Sequence, residues 1–464
     1  MQRLSGLDAS FLYLETSAQP LHVCSILELD TSTMLGGYTF DRLRDELALR
    51  IKAMPVFREK LADSPLNLDH PVWVEDRDFD VDRHLHRIGL PPPGGRIELA
   101  EIAGHIAALP LDRSRPLWET WVIEGLGGWA DSERGNRIAV MTKMHHAGVD
   151  GMTGANLMSL LCSTEADAQA PDPVDGPGDA TELEIVLGGL ARFVSRPLHL
   201  VNTLPGTLSA VVKTVQRARS GTTMTPPFTA PRTAFNARLT SHRNIAYAQL
   251  DLGDIKKVKD HFGVKVNDVV MALVSGVLRQ FLLDRGELPG NSLVAMVPVS
   301  VHGRSDRPGR NQVSGMFSRL ETQISDPGER LHAIAQSNSV AKQHSSAIPA
   351  TLLQDWSQFA APAVFGVAMR VYAKTRLTSS RPVHNLVVSN VPGPQEPLYF
   401  LGCEISAMYP LGPVFHGSGL NITVMSLNGK LNVGIISCPE LLPDLWELAD
   451  DFAVGMKELL ATVG

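Results

Sequence analysis

The spacing of apolar residues changes period repeatedly along this chain, and that alternation constrains its fold more than any other feature. Leu21–Leu29 and Trp118–Ile123 read as strands, whereas Asp41–Met54 and Ile97–Leu109 carry apolar residues at helical spacing. Chains patterned in this way layer helices on sheets, so residues 1–162 are expected to form an α/β domain. Within it Arg137–Met144 is a further strand and Gly151–Leu161 a helix, with Asp150 placed to cap it. After an interruption the alternation restarts with a strand at Ile245–Leu250, a helix at Val269–Leu283 and a strand at Ser292–Val299. Helices at Glu329–His344 and Leu353–Ala373, strands at Asn385–Val388, Leu420–Ser426 and Leu431–Ser437, and a last helix at Leu442–Leu460 follow. Residues 244–464 therefore form a second α/β domain of similar size.

The interruption, residues 163–243, has two parts of opposite charge. Ser163–Ala180 is rich in Ala, Pro and Gly and holds Glu165, Asp167, Asp172, Asp175 and Asp179 without a base, the composition of a mobile linker. From Leu190 to Leu250 there is no acid. Within Leu190–Arg219, Arg192, Arg196, Lys213, Arg217 and Arg219 alternate with Leu198, Leu200, Val201, Leu204, Leu208, Val211, Val212 and Val215, and Pro197 and Pro205 divide the stretch. Such a crossover either lies on an anionic lipid surface or packs against the two domains.

Composition sets outer limits. At 464 residues and 44% hydrophobic the chain can bury a large core without disulfides. A net charge of -7 gives no electrostatic reason to bind nucleic acid. Cys24, Cys162, Cys403 and Cys438 are too scattered for a zinc-type site, so no metal is expected, and they read as reduced, buried thiols. The first residues, Met1-Gln2-Arg3-Leu4-Ser5-Gly6-Leu7-Asp8, lack the apolar core of a signal peptide, and no apolar run is long enough to span a bilayer. A cytoplasmic location is the expectation.

Two motifs are decoys. Gly125-Leu126-Gly127-Gly128-Trp129-Ala130 fits a dinucleotide-binding spacing but runs into the polar Asp131–Asn136 where that fingerprint needs a helix, so it reads as a hairpin loop. His302-Gly303-Arg304-Ser305-Asp306 repeats an H-x-x-x-D spacing in a turn-rich loop. No phosphate-cradling loop or G-x-S-x-G nucleophile elbow is present.

The sharpest signal is Met144-His145-His146-Ala147-Gly148-Val149-Asp150-Gly151, two adjacent histidines and an Asp-Gly on a strand-to-helix connection. A bland account is a core histidine pair followed by a capping aspartate. The arrangement resembles the H-H-x-x-x-D-G motif of coenzyme A-dependent acyltransferases of the chloramphenicol acetyltransferase-like superfamily and of peptide-synthetase condensation domains. That resemblance implies two chloramphenicol acetyltransferase-like α/β domains with mixed sheets and an active-site channel between them. It makes His146 the proton acceptor and Asp150 chiefly an orienting residue, with His145 supporting and Gly151 lining the substrate. Imidazole suits the task, a base near neutrality that takes a hydroxyl proton while the oxygen attacks a thioester.

Further stretches narrow the likeness. Leu4–Thr16 (L-S-G-L-D-A-S-F-L-Y-L-E-T), Arg115-Pro116-Leu117-Trp118-Glu119, Val266-Asn267-Asp268-Val269-Val270 and Ser389-Asn390-Val391-Pro392-Gly393-Pro394 resemble, in that order, the bacterial wax ester synthase/diacylglycerol acyltransferase family. The family implies long-chain acyl-CoA as co-substrate, diacylglycerol or a fatty alcohol as acceptor, no metal or bound cofactor, and a peripheral place on membrane or lipid droplet. Pro116, Leu117 and Trp118 are read as structural, the Trp through its buried area. Asn267 and Asp268 both stand where a cap would for the apolar helix after them, and Asn267 is also a candidate donor to an oxyanion. A carrier-protein-dependent condensation-type acyltransferase and a non-catalytic lipid-binding relative are the alternatives.

Overall fold

The computed structural model describes residues 2–63, 69–127, 136–148, 161–176, 183–190, 228–300, 313–347 and 382–463. The large sheet of the first half runs β5 (Leu85–Gly89), β6 (Trp118–Glu124), β7 (Arg137–His145), β2 (His22–Asp30), β14 (Cys403–Leu411), β13 (Tyr399–Phe400), β8 (Cys162–Ser163). A small sheet of β1 (Gln2–Arg3), β4 (Val72–Glu75) and β3 (Glu59–Ala62) accompanies it. The second half holds β11 (Val313–Arg319), β10 (Val294–Ser300), β12 (Leu386–Val391), β15 (Leu420–Leu427), β16 (Lys430–Ser437) and β9 (Asn244–Asp251) in that order. β5 and β6 are parallel, as are β10 with β12 and β12 with β15, while the neighbouring pairs are antiparallel, so both large sheets are mixed.

Helices α1 (Gly6–Leu14), α2 (Phe40–Lys52) and α3 (Arg96–Ala108) belong to the first half. In the second are α4 (Leu252–Phe262), α5 (Val266–Asp284), α6 (Pro327–Ala347) and α7 (Leu445–Ala461). α5 is long and apolar enough to cross a membrane, yet Val269, Met271, Val274, Leu278 and Phe281 are buried among residues of α4, α7 and β15. A helix apolar on nearly all sides is here a core helix.

The crossing of the two halves is not visible in the order of the chain. β14 lies between strands of the second half in sequence, but it pairs with β2 from Glu404↔Asp30 to Leu411↔Cys24 and so completes the first sheet. Without it β2 would present an open edge. Where β14 passes β16, a Cβ at Gly434 would overlap the Pro410 carbonyl, so only glycine permits the approach. Apolar clusters then bridge the halves: Trp118 and Val140 with Val391 and Met425, and Ala100 and Met141 with Ile245 and Ile436.

Other expectations shift by small margins or are corrected. β6 and β7 are adjacent and antiparallel, and Gly125 and Gly127, at φ of 92° and 87°, stand where the connection between them begins; Gly128–Ala130 lie outside the described residues. The acidic linker is not loose where it is described. Arg50 donates to the Ala168 carbonyl at 2.8 Å, and the Val174 N–H donates to that of Lys52 at 3.0 Å. Its composition hides these contacts because backbone carbonyls supply them. Asp150, Gly151, the Gly151–Leu161 helix as far as residue 160, the His302–Asp306 loop, the Leu353–Ala373 helix and most of the basic crossover lie outside the described residues.

Candidate active site

Alternation along β7 turns Met141, Lys143 and His145 to one face and Thr142 and Met144 to the other. On the first face His145 pairs across the sheet with His22, and Lys143 with Cys24. The chain then turns. His145 N–H donates to the Leu117 carbonyl at 3.0 Å, His146 N–H to the Leu21 carbonyl at 2.9 Å, and Gly148 N–H back to the His145 carbonyl at 2.9 Å. Leu117 thus acts through its backbone, as a strut under the histidines.

The two imidazoles live in different surroundings. His145 is buried, and its Nδ1 accepts from the Ala147 N–H at 3.0 Å. Its Nε2 stands 3.4 Å from Glu15 Oε1, and His22 Nε2 stands 3.3 Å from the same oxygen. These separations are long for hydrogen bonds and act as charge–dipole contacts between buried groups. Burial pushes the His145 pKa down to about 4, against the pull of Glu15, so the ring is neutral at physiological pH. Burial works to raise the Glu15 carboxyl, but the His145 and His22 rings that face it and the Arg113 guanidinium at 2.7 Å hold it far below the usual carboxylate range. His146 is half-buried and stacks face to face on Phe11, ring centroids 4.0 Å apart and 13° from parallel.

Phe11 and Glu15 are four residues apart, Phe11 on α1 and Glu15 at its C-cap, which puts them on one side. α1 is fixed at its start by Ser5 and Asp8, each accepting the other's backbone N–H at 3.1 and 3.2 Å. Tyr13 anchors it to the chain just before β4 through a 3.1 Å contact with His70 Nδ1.

Trp118 is buried and donates through Nε1 to the Phe57 carbonyl at 2.8 Å, while His84 stacks on its ring at 4.6 Å. Trp118 thus joins the core of the first half, and the Leu117 carbonyl before it holds the His145 N–H. Two residues before His145, the fully buried Lys143 meets Glu119 at 2.8 Å and the carbonyls of Ile106 and Leu109 at 3.3 and 3.1 Å. That trio ties the C-terminal end of α3 to the sheet beneath the histidines.

In the second half α5 begins at Val266, earlier than the apolar run suggests, so Asn267 and Asp268 lie inside its first turn. Asp268 accepts from Lys265 N–H at 3.0 Å and from Asn338 Nδ2 at 2.7 Å, and Ser318 in turn donates to Asn338 Oδ1 at 2.5 Å. It caps α5 and joins it to α6 and β11. Asn267 is not a cap. Its Oδ1 faces Asn390 Nδ2 at 3.5 Å, which turns its own NH2 group to other acceptors. Val391, beside Asn390, packs in the same apolar cluster as Trp118 and Met144. Among the described residues, no group of three or more His, Cys, Asp or Glu side chains is placed to hold a metal ion.

Comparison with known proteins decides the family. The profile of the wax ester synthase/diacylglycerol acyltransferase catalytic domain matches residues 4–270, and that of the family's C-terminal domain matches residues 310–460. A Mycobacterium tuberculosis protein provisionally named a diacylglycerol O-acyltransferase is 58% identical over 99% of this chain and 90% of its own length. The chain belongs to the wax ester synthase/diacylglycerol acyltransferase family. A second M. tuberculosis protein of the same provisional name is 33% identical over 99% of this chain and 97% of its own. The family's enzyme from Marinobacter aquaeolei VT8 superposes with a TM-score of 0.71 at 29% identity, covering all of both chains. The first condensation domain of the calcium-dependent antibiotic synthetase shares the fold, with a TM-score of 0.57 at 16% identity over 99% of this chain and 96% of that domain. The α/β architecture expected from the family motifs is therefore the observed one.

Sequence reasoning missed several residues that this member of the family brings to the site: Phe11, Glu15, His22 and Arg113 around the histidines, and Asn390 beside Asn267. A faint signal existed for the first two, since Phe11 and Glu15 stand at helical spacing within the Leu4–Thr16 motif. His22 and Arg113 carried none.

Proposed function

We propose that this acyltransferase moves a long-chain acyl group from acyl-CoA to the hydroxyl of diacylglycerol or a fatty alcohol, with His146 as general base. The contrast between the two histidines carries the choice. His145 is only 1% exposed and its Nδ1 is occupied by Ala147, whereas His146 is partly exposed and its ring is stacked on Phe11. In the step, an imidazole nitrogen of His146 takes the hydroxyl proton as the oxygen bonds to the thioester carbonyl carbon, and the carbonyl electron pair moves to its oxygen. The Asn267 amide is a donor suited to that oxyanion. Collapse restores the carbonyl and breaks the carbon–sulfur bond, and the thiolate takes the proton from the imidazolium. Ester and coenzyme A leave, and the base is neutral again.

The test is mass spectrometry of esters formed by the purified protein from mixed acyl-CoAs offered diacylglycerol and a long alcohol together. Esters of either acceptor made from free acyl-CoA support the reading. Turnover only from a carrier-bound acyl group places the chain with the carrier-dependent class, and no ester from any donor leaves a lipid-binding protein.

Acceptors of this kind hardly dissolve, so the reading includes a peripheral position on membrane or lipid droplet. Helix 183–190 supports it: Ile185 is buried, while Leu183, Val186, Leu187 and Leu190 are 65%, 36%, 56% and 48% exposed. This apolar face leads directly into the basic stretch Leu190–Arg219. Replacing Lys213, Arg217 and Arg219 by Glu is expected to weaken flotation with anionic liposomes, more so at low salt, where screening is least. Unchanged flotation at every salt concentration would instead leave the crossover as a packing segment.

A further inference from the structure

The contacts of Glu15 define which nitrogen of His145 carries the proton. A backbone N–H only donates, so the Ala147 N–H, 3.0 Å from Nδ1, requires a bare lone pair there. The proton of the neutral ring then sits on Nε2, which faces Glu15 Oε1. The same oxygen meets His22 Nε2 and the Leu21 N–H at 3.3 Å each, and the other oxygen takes Arg113 at 2.7 Å. One carboxylate thus gathers donors from the start of β2, the end of β7 and the loop after α3. An amide in its place cannot accept on both sides.

Each of those attachments leads to His146. Leu21, whose N–H is held by Glu15, gives its carbonyl to the His146 N–H, and His145 closes the turn through Ala147. Arg113 also donates to the Leu12 carbonyl at 2.9 Å, which fastens the end of α1. Phe11 on that same helix then sets the plane of the His146 ring. We propose that Glu15 is a positioning residue: it fixes His145 as the Nε2–H tautomer, closes the turn over Ala147, and thereby aims the His146 imidazole. This rests on His146 being the base.

The experiment uses the full-length protein with ¹⁵N-labelled histidine. In Glu15→Gln, kcat is expected to fall on the order of 10- to 100-fold, the consequence of a misaimed reacting group, with KM for acyl-CoA and acceptor unchanged. Glu15→Asp is expected to recover part of that loss. Independently of activity, the ring ¹⁵N shifts should report His145 as Nε2–H in the wild type and as a mixture of tautomers in Glu15→Gln. If Glu15→Gln does not fold, Arg113→Gln at the exposed rim removes only the outer half of the clamp and is expected to lower kcat a few-fold at constant KM. A folded Glu15→Gln or Arg113→Gln protein with wild-type kcat overturns the proposal, as does a wild-type His145 protonated on Nδ1. A fully active His146→Ala protein would defeat the base assignment alone, because the tautomer is read without turnover.

Discussion

The turn after β7 and the first turn of α5 both end an apolar element in polar side chains, and they are secured in opposite ways. Around His145 the partners are charged: Glu15 with Arg113 on one side and Lys143 with Glu119 two residues earlier. Around Asn267 the partner is one neutral amide at 3.5 Å, and the adjacent carboxylate, Asp268, is spent on the helix cap and Asn338. The difference follows from what each end does in the proposed reaction. A base must be held while its own proton count changes, and fixed charges on its neighbour steady the turn that carries it. An oxyanion donor needs only an oriented dipole, and a carboxylate on the donor itself would compete with the developing negative charge.

Deleting the base is the most severe way to test that contrast. His146→Ala is expected to slow ester formation by roughly 100- to 10,000-fold in single-turnover assays. Its thermal stability should stay near that of the wild type, because the clamp acts on His145. A variant with wild-type turnover would place the chemistry elsewhere.

The second half sharpens the comparison through two adjacent residues. Asn267→Ala is expected to slow the chemical step by about 100-fold with little change in unfolding midpoint, as for loss of one oxyanion donor. Asp268→Ala should instead lose about 1 to 3 kcal/mol of stability in denaturant titration, since a buried cap goes and the Asn338 amide is left unpaired. If Asp268→Ala were fully stable and Asn267→Ala unfolded, the division between donor and cap would be reversed.

How far the sequence revealed these two regions depended on the range of the interaction. Period and turn chemistry are local, so β7, β2, β6 and α7 fell within a few residues of their expected ends. The start of α5 was displaced because Val266, Asn267 and Asp268 continue the helix before its unbroken apolar run, and a cap three residues back at Lys265 carries no cap-like side chain. β14 was not visible at all. Its residues, Cys403–Leu411, contain Pro410 and only weak alternation, and their partner in the sheet is nearly four hundred residues away. His145 and His146 stood out because they are neighbours in sequence. Glu15 and Arg113 meet only after α1 and α3 have packed, and the sequence separation of 123 between Asn267 and Asn390 conceals that pair in the same way.

The mildest expected effect concerns acid, and it distinguishes the two halves by what surrounds their buried histidines. Burial lowers the pKa of both His145 and His384 from 6.5 to about 4. In the unfolded chain these rings take up protons near 6.5, so between that pH and about 4 the unfolded state binds more protons than the folded one. The stability these groups contribute is therefore present above pH 6.5 and lost as the pH falls through about 4. Glu15 adds to the same trend at lower pH, since its depressed carboxyl stays ionised after the unfolded one has been protonated near 4.5. The two histidines differ in their partners. Neither ring nitrogen of His384 has a hydrogen-bond partner among the described residues, and its ring lies 5.8 Å from that of Phe317. Replacing it by Leu removes an acid-sensitive group without breaking a hydrogen bond. His384→Leu is expected to match the wild type in urea titrations at pH 7 and to lose stability less steeply between pH 6.5 and 4. An unchanged slope would mean that His384 is protonated as readily folded as unfolded, and would leave His145 and its clamp as the acid-sensitive part of the molecule.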